Sequence, residues 1–366
     1  MSDFAWRKAL ALVAVLPTCV LAGGCGDVTA TSVGGAGQAG PGLTACSGGG
    51  PVAAFLGGTE GEGFPGDAEG APTGWDVWGI PAEGEYTQLT TGLQSFDPWI
   101  SDDGNSLFFT KGPGGILGGA PSSPTDGWLL DLQTGEERLL VQAGGINSLR
   151  SSPDGQQLAY ALLPKDTDNA EFRIAVADLD APDVPVTMID PEPPSGPNEG
   201  QSQSQPTWGP DGRELAYIRL STDLLVGRSQ WSIQVVDLAS GDQRTLYEAP
   251  MDIPLTSLEW IESTNKLLVV QPDDVGRNTV LTVDLESGET STLAEDVWTP
   301  IAASALDGAT VSAIGVRPED KESAEPDLAL MTWTGGDRID TVVPAQISYA
   351  AALTVADCSY DEGAGR

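Results

Sequence analysis

The sequence predicts an all-β fold, a six-bladed β-propeller whose first blade is completed by the C-terminal strand. Three observations lead there. A strand–turn–strand phrase recurs at intervals of about fifty residues. The apolar runs are too short and dense for helices. The two chain ends carry complementary parts of one unit.

The phrase is clearest in "RSSPDGQQLAYAL" and "PTWGPDGRELAYI". Each copy has an apolar or aromatic run, a tight turn and a second apolar run. A third run ending in "DL", a Ser/Thr-Gly turn and a short last strand follow. Five copies are complete, beginning "FDPWISDDG", "INSLRSSPDG", "QPTWGPDG", "TSLEWIESTN" and "PIAASALDG". Units of this length, each with four short strands, are the sequence form of propeller blades.

The first turn of each unit carries Asp103-Gly104, Asp154-Gly155, Asp211-Gly212, Thr264-Asn265 or Asp307-Gly308. Gly, and after it Asn, accepts the positive φ that a tight hairpin demands. Pro153 and Pro210 fix φ one step earlier. Recurrence at five equivalent places makes these aspartates parts of turns rather than catalytic carboxylates. The aspartate of the "DL" turn is placed to accept backbone N–H bonds. Trp208 and Trp260, just before their turns, are expected to fill space between neighbouring blades. The apolar runs suit sheets covered on both faces.

The ends supply the sixth blade. Residues 51–58, 75–82 and 86–92 form strands two, three and four of a unit that lacks its first. "QISYAAALTVADCSYDEG" is a first strand with nothing after its turn. Pairing these parts closes the ring and removes exposed sheet edges.

The phrases "SSPDGQQLAY" and "TWGPDGRELAY" resemble the TolB-type, WD40-like propeller repeat across nearly the whole domain. That resemblance implies a six- or seven-bladed ring of the bacterial envelope, often binding another protein. TolB itself carries a further N-terminal α/β domain, for which residues 26–45 are too short and too rich in glycine.

The N-terminus has basic Arg7 and Lys8, then an apolar run from Ala9 to Ala22, too short to span a bilayer comfortably and of secretory-signal form. Leu21-Ala22-Gly23-Gly24-Cys25 resembles a bacterial lipoprotein lipobox, which implies cleavage before Cys25 and lipidation of its thiol. A plain secretory signal cut nearby is the alternative. The domain plan is a signal peptide over 1–24, a Gly-rich tether over 25–45, the propeller over 46–360 and a polar tail over 361–366. Export to a disulfide-permitting compartment, and closure of the ring by its ends, make Cys46 and Cys358 candidates to pair.

Chemistry is bounded by composition. The chain has 17 Lys and Arg against 53 Asp and Glu, a net charge of -36 and no histidine. Such a field repels nucleic acid and anionic lipid, and favours a cationic partner or simple solubility. Histidine is the commonest general base and metal ligand, so its absence, with that of a G-x-S-x-G elbow, argues against an enzyme. Peptidases built on such propellers need a hydrolase triad, and oligogalacturonate-type lyases need histidine ligands. No cofactor is expected.

Asp166, Asp168, Asn169 and Glu171 are weak candidates for Ca²⁺, being hard oxygens at short spacing, but the glycine and terminal glutamate of an EF-type loop are missing and a solvated acidic loop is the better reading. Trp75, Trp78 and Trp128 could form a carbohydrate platform, or pack in the core. The irregular stretches 191–205 and 317–327 are the expected places for specificity. The expectation is a monomeric, lipid-anchored, non-enzymatic propeller facing the periplasm or cell exterior and binding an envelope protein or peptide. A Ca²⁺-dependent carbohydrate-binding or lactonase-like propeller is the alternative.

Overall fold

A computed structural model describes residues 53–355, except 59–74, 82–85, 92–94, 102–103, 113–124, 165–170, 190–198, 262–263, 274–276, 306–309, 317–327, 335–336 and 343–348. Every ladder in it is antiparallel, and the strands build an all-β propeller.

The first sheet joins the chain ends. It runs in the order β23 (Tyr349–Val355), β1 (Ala53–Gly58), β2 (Asp76–Ile80), β3 (Thr87–Gln88). Ala53 faces Val355 and Gly58 faces Tyr349, so the last strand does complete the first sheet. The second sheet holds β4 (Ser95–Ile100), β5 (Ser106–Lys111), β6 (Asp126–Asp131) and β7 (Glu137–Val141). The third holds β8 (Ile146–Ser151), β9 (Gln157–Leu162), β10 (Arg173–Asp178) and β11 (Pro185–Met188). The fourth holds β12 (Glu199–Trp208), β13 (Glu214–Asp223), β14 (Arg228–Asp237) and β15 (Gln243–Glu248).

The expected count of six blades is corrected here: the strands form five sheets. The fifth has seven strands, β16 (Thr256–Ile261), β17 (Lys266–Pro272), β18 (Arg277–Asp284), β19 (Thr290–Ala305), β20 (Thr310–Val316), β21 (Leu328–Thr334) and β22 (Asp337–Val342). It absorbs two of the sequence units. The first part of β19 pairs with β18 and its last part with β20, with Trp298 matched on both sides. The physical reason lies in the segment "TSTLAEDVWTPIAASA", which has no glycine and no turn dipeptide to stop the ladder. Its Pro300 falls where the register with β20 shifts, the place a sheet tolerates proline.

The central runs of the middle strands are buried on successive residues, as in Leu107–Thr110, Leu158–Ala161 and Leu267–Val270. Sheets covered on both faces need no polar alternation. The innermost strands β4, β8, β12, β16, the end of β19 and β23 pack side by side, and β23 returns to β4.

Four of these inner strands carry the same bulge. Asp97, Ser148, Gln205 and Ser257 have φ of 48°, 57°, 52° and 52°, and each sits where the register to the second strand shifts. A non-glycine residue held there stores about 1 kcal/mol or more, and the bulge re-aims the next side chains.

A second expectation is also corrected. Residues 199–205, placed in an irregular insert, form the first part of β12 and pair with β13. Their polar side chains are held by the preceding sheet. Gln203 Oε1 accepts the Ile174 N–H at 2.8 Å, and Ser202 Oγ accepts the Phe172 N–H at 3.2 Å.

Candidate functional site

The tight turns are closed by backbone bonds. Gly104, Gly155 and Gly212 donate to the carbonyls of Ser101, Ser152 and Gly209 at 2.8, 2.9 and 2.9 Å. Their φ values are 69°, 66° and 68°, the region where a Cβ is costly. Asp154 Oδ1 accepts the Gln156 N–H and Asp211 Oδ1 the Arg213 N–H, both at 3.0 Å. These carboxylates hold their own turns. Asn265 stands one position later than the sequence alignment placed it. Thr264 donates to the Ile261 carbonyl as the glycines do, and Asn265 accepts from Leu285 as Gln156 accepts from Leu179. Asp103, Asp307 and Gly308 lie outside the described residues.

The residue that precedes each turn segment decides how neighbouring sheets meet. Equivalent register places Ile100, Ser151, Trp208 and Trp260 opposite Leu107, Leu158, Leu215 and Leu267. Trp208 packs on Ala159, Ala161 and Ile174 of the third sheet, and its indole N–H donates to the Arg150 carbonyl at 3.0 Å. Trp260 packs on Ala216 and Ile218 of the fourth sheet. A large side chain thus wedges each of these pairs, as interior packing requires.

Between the second and third sheets that wedge is Ser151. A groove of about 620 Å³ opens there, with Phe108, Leu129 and Leu179 among its walls. Its rim carries Asp131, Glu136, Arg138 and Asp154. Phe108 replaces the alanine found at 159 and 216, but phenyl plus hydroxymethyl occupy less than indole plus methyl. The volume is in the range of small-molecule and peptide side-chain sites. Three carboxylates against one guanidinium make the rim acidic. Sequence reasoning missed this site, although the serine in a column of large residues was its signal.

A second polar cluster lies on the ring axis. Asp97, Trp99, Arg150, Gln205, Ser257 and Glu259 come from β4, β8, β12 and β16 and enclose about 40 Å³. The Arg150 guanidinium lies over the Trp99 ring, 4.7 Å from its centroid. Burial pushes Arg150 down to about 10, against the opposing pull of Asp97 and Glu259. Burial raises the Asp97 carboxyl, while Arg150 and the Ser148 N–H work to lower it. Arg150 Nε and Trp99 Nε1 are buried and find no hydrogen-bond partner among the described residues. The space accommodates one or a few waters and excludes a larger ligand.

The remaining sequence candidates do not converge. Glu171 Oε1 accepts the Gln201 N–H at 3.3 Å; Asp166, Asp168 and Asn169 lie outside the described residues. No group of three or more His, Cys, Asp or Glu that could hold a metal occurs among the described residues. Trp75 and Trp78 are core residues, and Trp128 is half-buried with Lys111 Nζ 5.2 Å from its ring centroid. Cys25, Cys46, Cys358 and the 317–327 stretch are outside the described residues.

No family model and no curated protein matches the sequence. Solved structures do. An oligogalacturonate lyase in complex with manganese matches at 16% identity and a TM-score of 0.45, over 72% of this chain and 70% of that one. The β-propeller domain of the trilobed protease from Pyrococcus furiosus matches at 16% identity and 0.41, over 68% and 71%. A puromycin-hydrolysing peptidase from Mycobacterium tuberculosis matches at 18% and 0.44, over 74% of this chain but only 44% of that one. The chain therefore spans less than half of that peptidase. At such identities the likeness is one of fold. The expectation that the chain is not an enzyme is corrected here: the matched structures are of a lyase and peptidases.

Proposed function

We propose that this is an exported, lipid-anchored, TolB-like propeller of the bacterial envelope that binds a peptide or protein segment. The observation that carries the reading is the groove between the second and third sheets, open because Ser151 stands where Trp208 and Trp260 stand elsewhere. A ring with an unfilled cleft between two of its sheets is suited to binding, since little ordering cost is met on association. Anchoring is supported by the lipobox-like Leu21–Cys25 segment alone.

The pairing of Ala53 with Val355 supports the Cys46–Cys358 staple, because the chain enters β1 and leaves β23 at the same end of that pair, and the two cysteines are seven residues before and three residues after those points in the sequence. The staple would be rejected by peptide mapping without reductant that finds both thiols free.

The binding proposal is tested by fluorescence polarisation with a tiled library of envelope-protein peptides. Saturable binding by the wild type, lost when Ser151→Trp fills the cleft, is expected. Absence of saturable binding by any peptide, or binding untouched by the substitution, removes it. Incorporation of labelled palmitate that persists in Cys25→Ala would remove the anchor.

A further inference from the structure

We infer that the occupant of the groove is an aromatic side chain of the bound peptide, flanked by a basic residue. This rests on the reading of the groove as a binding site and goes further by naming the occupant's chemistry. The next two sheet junctions provide the template. At the two junctions that follow, the chain supplies its own indole, Trp208 and Trp260. At the Ser151 junction the strand register is the same, with Ser151 opposite Leu158 as Trp208 is opposite Leu215. The strand register there is the one that carries an indole at the next two junctions.

The walls agree with that occupant. Phe108, almost fully buried, stands in the column of the small Ala159 and Ala216 and gives the cleft an apolar floor. Leu129 and Leu179 add apolar wall. Trp99 corresponds in register to Arg150, whose carbonyl accepts the Trp208 indole N–H at 3.0 Å. The Trp99 carbonyl is therefore the corresponding acceptor for an incoming indole.

The rim sets the second requirement. Asp131 Oδ1 accepts the Gln133 and Thr134 N–H groups, and Asp154 Oδ1 accepts the Gln156 N–H and the Ser152 hydroxyl. Their charges, with that of exposed Glu136, outnumber the single Arg138. A chain of net charge -36 steers cations toward such a rim. An aromatic residue next to lysine or arginine meets both conditions.

The probes are acetyl-Lys-Trp-Lys-amide and acetyl-Lys-Ala-Lys-amide, followed by calorimetry at low salt with the full chain. The tryptophan peptide is expected to bind at least tenfold more tightly than the alanine peptide. Ser151→Trp should lose at least tenfold for the tryptophan peptide. Should that variant fail to fold, Glu136→Lys, at an exposed position, is expected to lose severalfold, and free N-acetyltryptophanamide should compete with the peptide on the wild type.

Equal affinity for the two peptides overturns the inference. If library peptides still bind in a Ser151-dependent way, the binding function stands and only the aromatic occupant is wrong. If no peptide of any kind binds, both fall.

Discussion

The guanidinium carbon of Arg150 lies 4.7 Å from the centroid of the Trp99 ring, bridging two successive inner strands. It is also set against the carboxylates of Asp97 and Glu259 on the axis. Removing it withdraws a buried positive charge from beside two carboxylates. Arg150→Met keeps the volume and loses the charge, and a cost of about 3–5 kcal/mol is expected. Urea unfolding followed by tryptophan fluorescence measures it; a loss below about 1 kcal/mol would show that the cation is not needed to hold those carboxylates.

Trp208 ties the third sheet to the fourth by packing and by its bond to the Arg150 carbonyl. Trp208→Ala should cost about 3–5 kcal/mol, because the sheets cannot collapse into the space. Trp208→Phe should cost less, retaining most of the packing while leaving the Arg150 carbonyl without its donor, about 1–3 kcal/mol. Equal losses for the two variants would mean the hydrogen bond, and not the wedge, carries the junction.

Much of this architecture was legible because turn chemistry is local. Asp154-Gly155 and Asp211-Gly212 announce hairpins, and the split unit at the ends announces the β1–β23 pairing. The five-sheet count was not legible, since a ladder that continues through β19 is marked only by missing turn residues. Nor was the axial cluster. Trp99, Arg150, Thr207 and Glu259 share one column of the repeat, but only the positive φ of Asp97, Ser148, Gln205 and Ser257 shows how the strands are bulged beside them. The groove was hidden for a third reason. Its signal is the smallness of Ser151, and a small residue looks innocuous until its neighbours' equivalents are seen to be wedges.

Two glycines separate conformational cost from collision. Gly155 has φ of 66° and open space where a Cβ would stand. Gly155→Ala should therefore cost about 1 kcal/mol through backbone conformation alone. Gly288 has φ of 72°, and a Cβ there would run into the Leu246 carbonyl. Gly288→Ala should cost clearly more, since backbone must move. Thermal unfolding of the two variants side by side checks the order, and reversal would contradict the placement of the Gly288 turn.

The "DL" turns predict a pH dependence. Hydrogen bonds from the Ser240 and Ala239 N–H groups, with Arg213 nearby, hold the Asp237 carboxyl below its usual range; Asp131 and Asp284 are lowered in the same way by the N–H groups of their own turns. A carboxylate whose folded pKa is depressed stabilises the fold above its unfolded pKa, and that contribution is lost as pH falls through the folded pKa. Asp237→Ala should thus lower the urea midpoint at neutral pH, and the gap from wild type should close in acid. A gap independent of pH would assign the effect to chain conformation and not to charge.

Closure of the ring predicts what loss of the last strand does. β23 covers one edge of β1 and packs against β4 and β19. A chain ending at residue 348 would expose the β1 edge and uncover Phe55 and Leu56, which are fully buried in the intact protein. An open edge with apolar neighbours is a template for pairing between chains. The truncated chain is expected to unfold at lower urea with a broadened transition, and to self-associate in light scattering. A synthetic peptide of residues 346–358, added in excess, should restore much of the lost midpoint by refilling the edge in a mass-action way. If the truncated chain stays monomeric with an unchanged midpoint, the β1–β23 ladder is not what closes the ring.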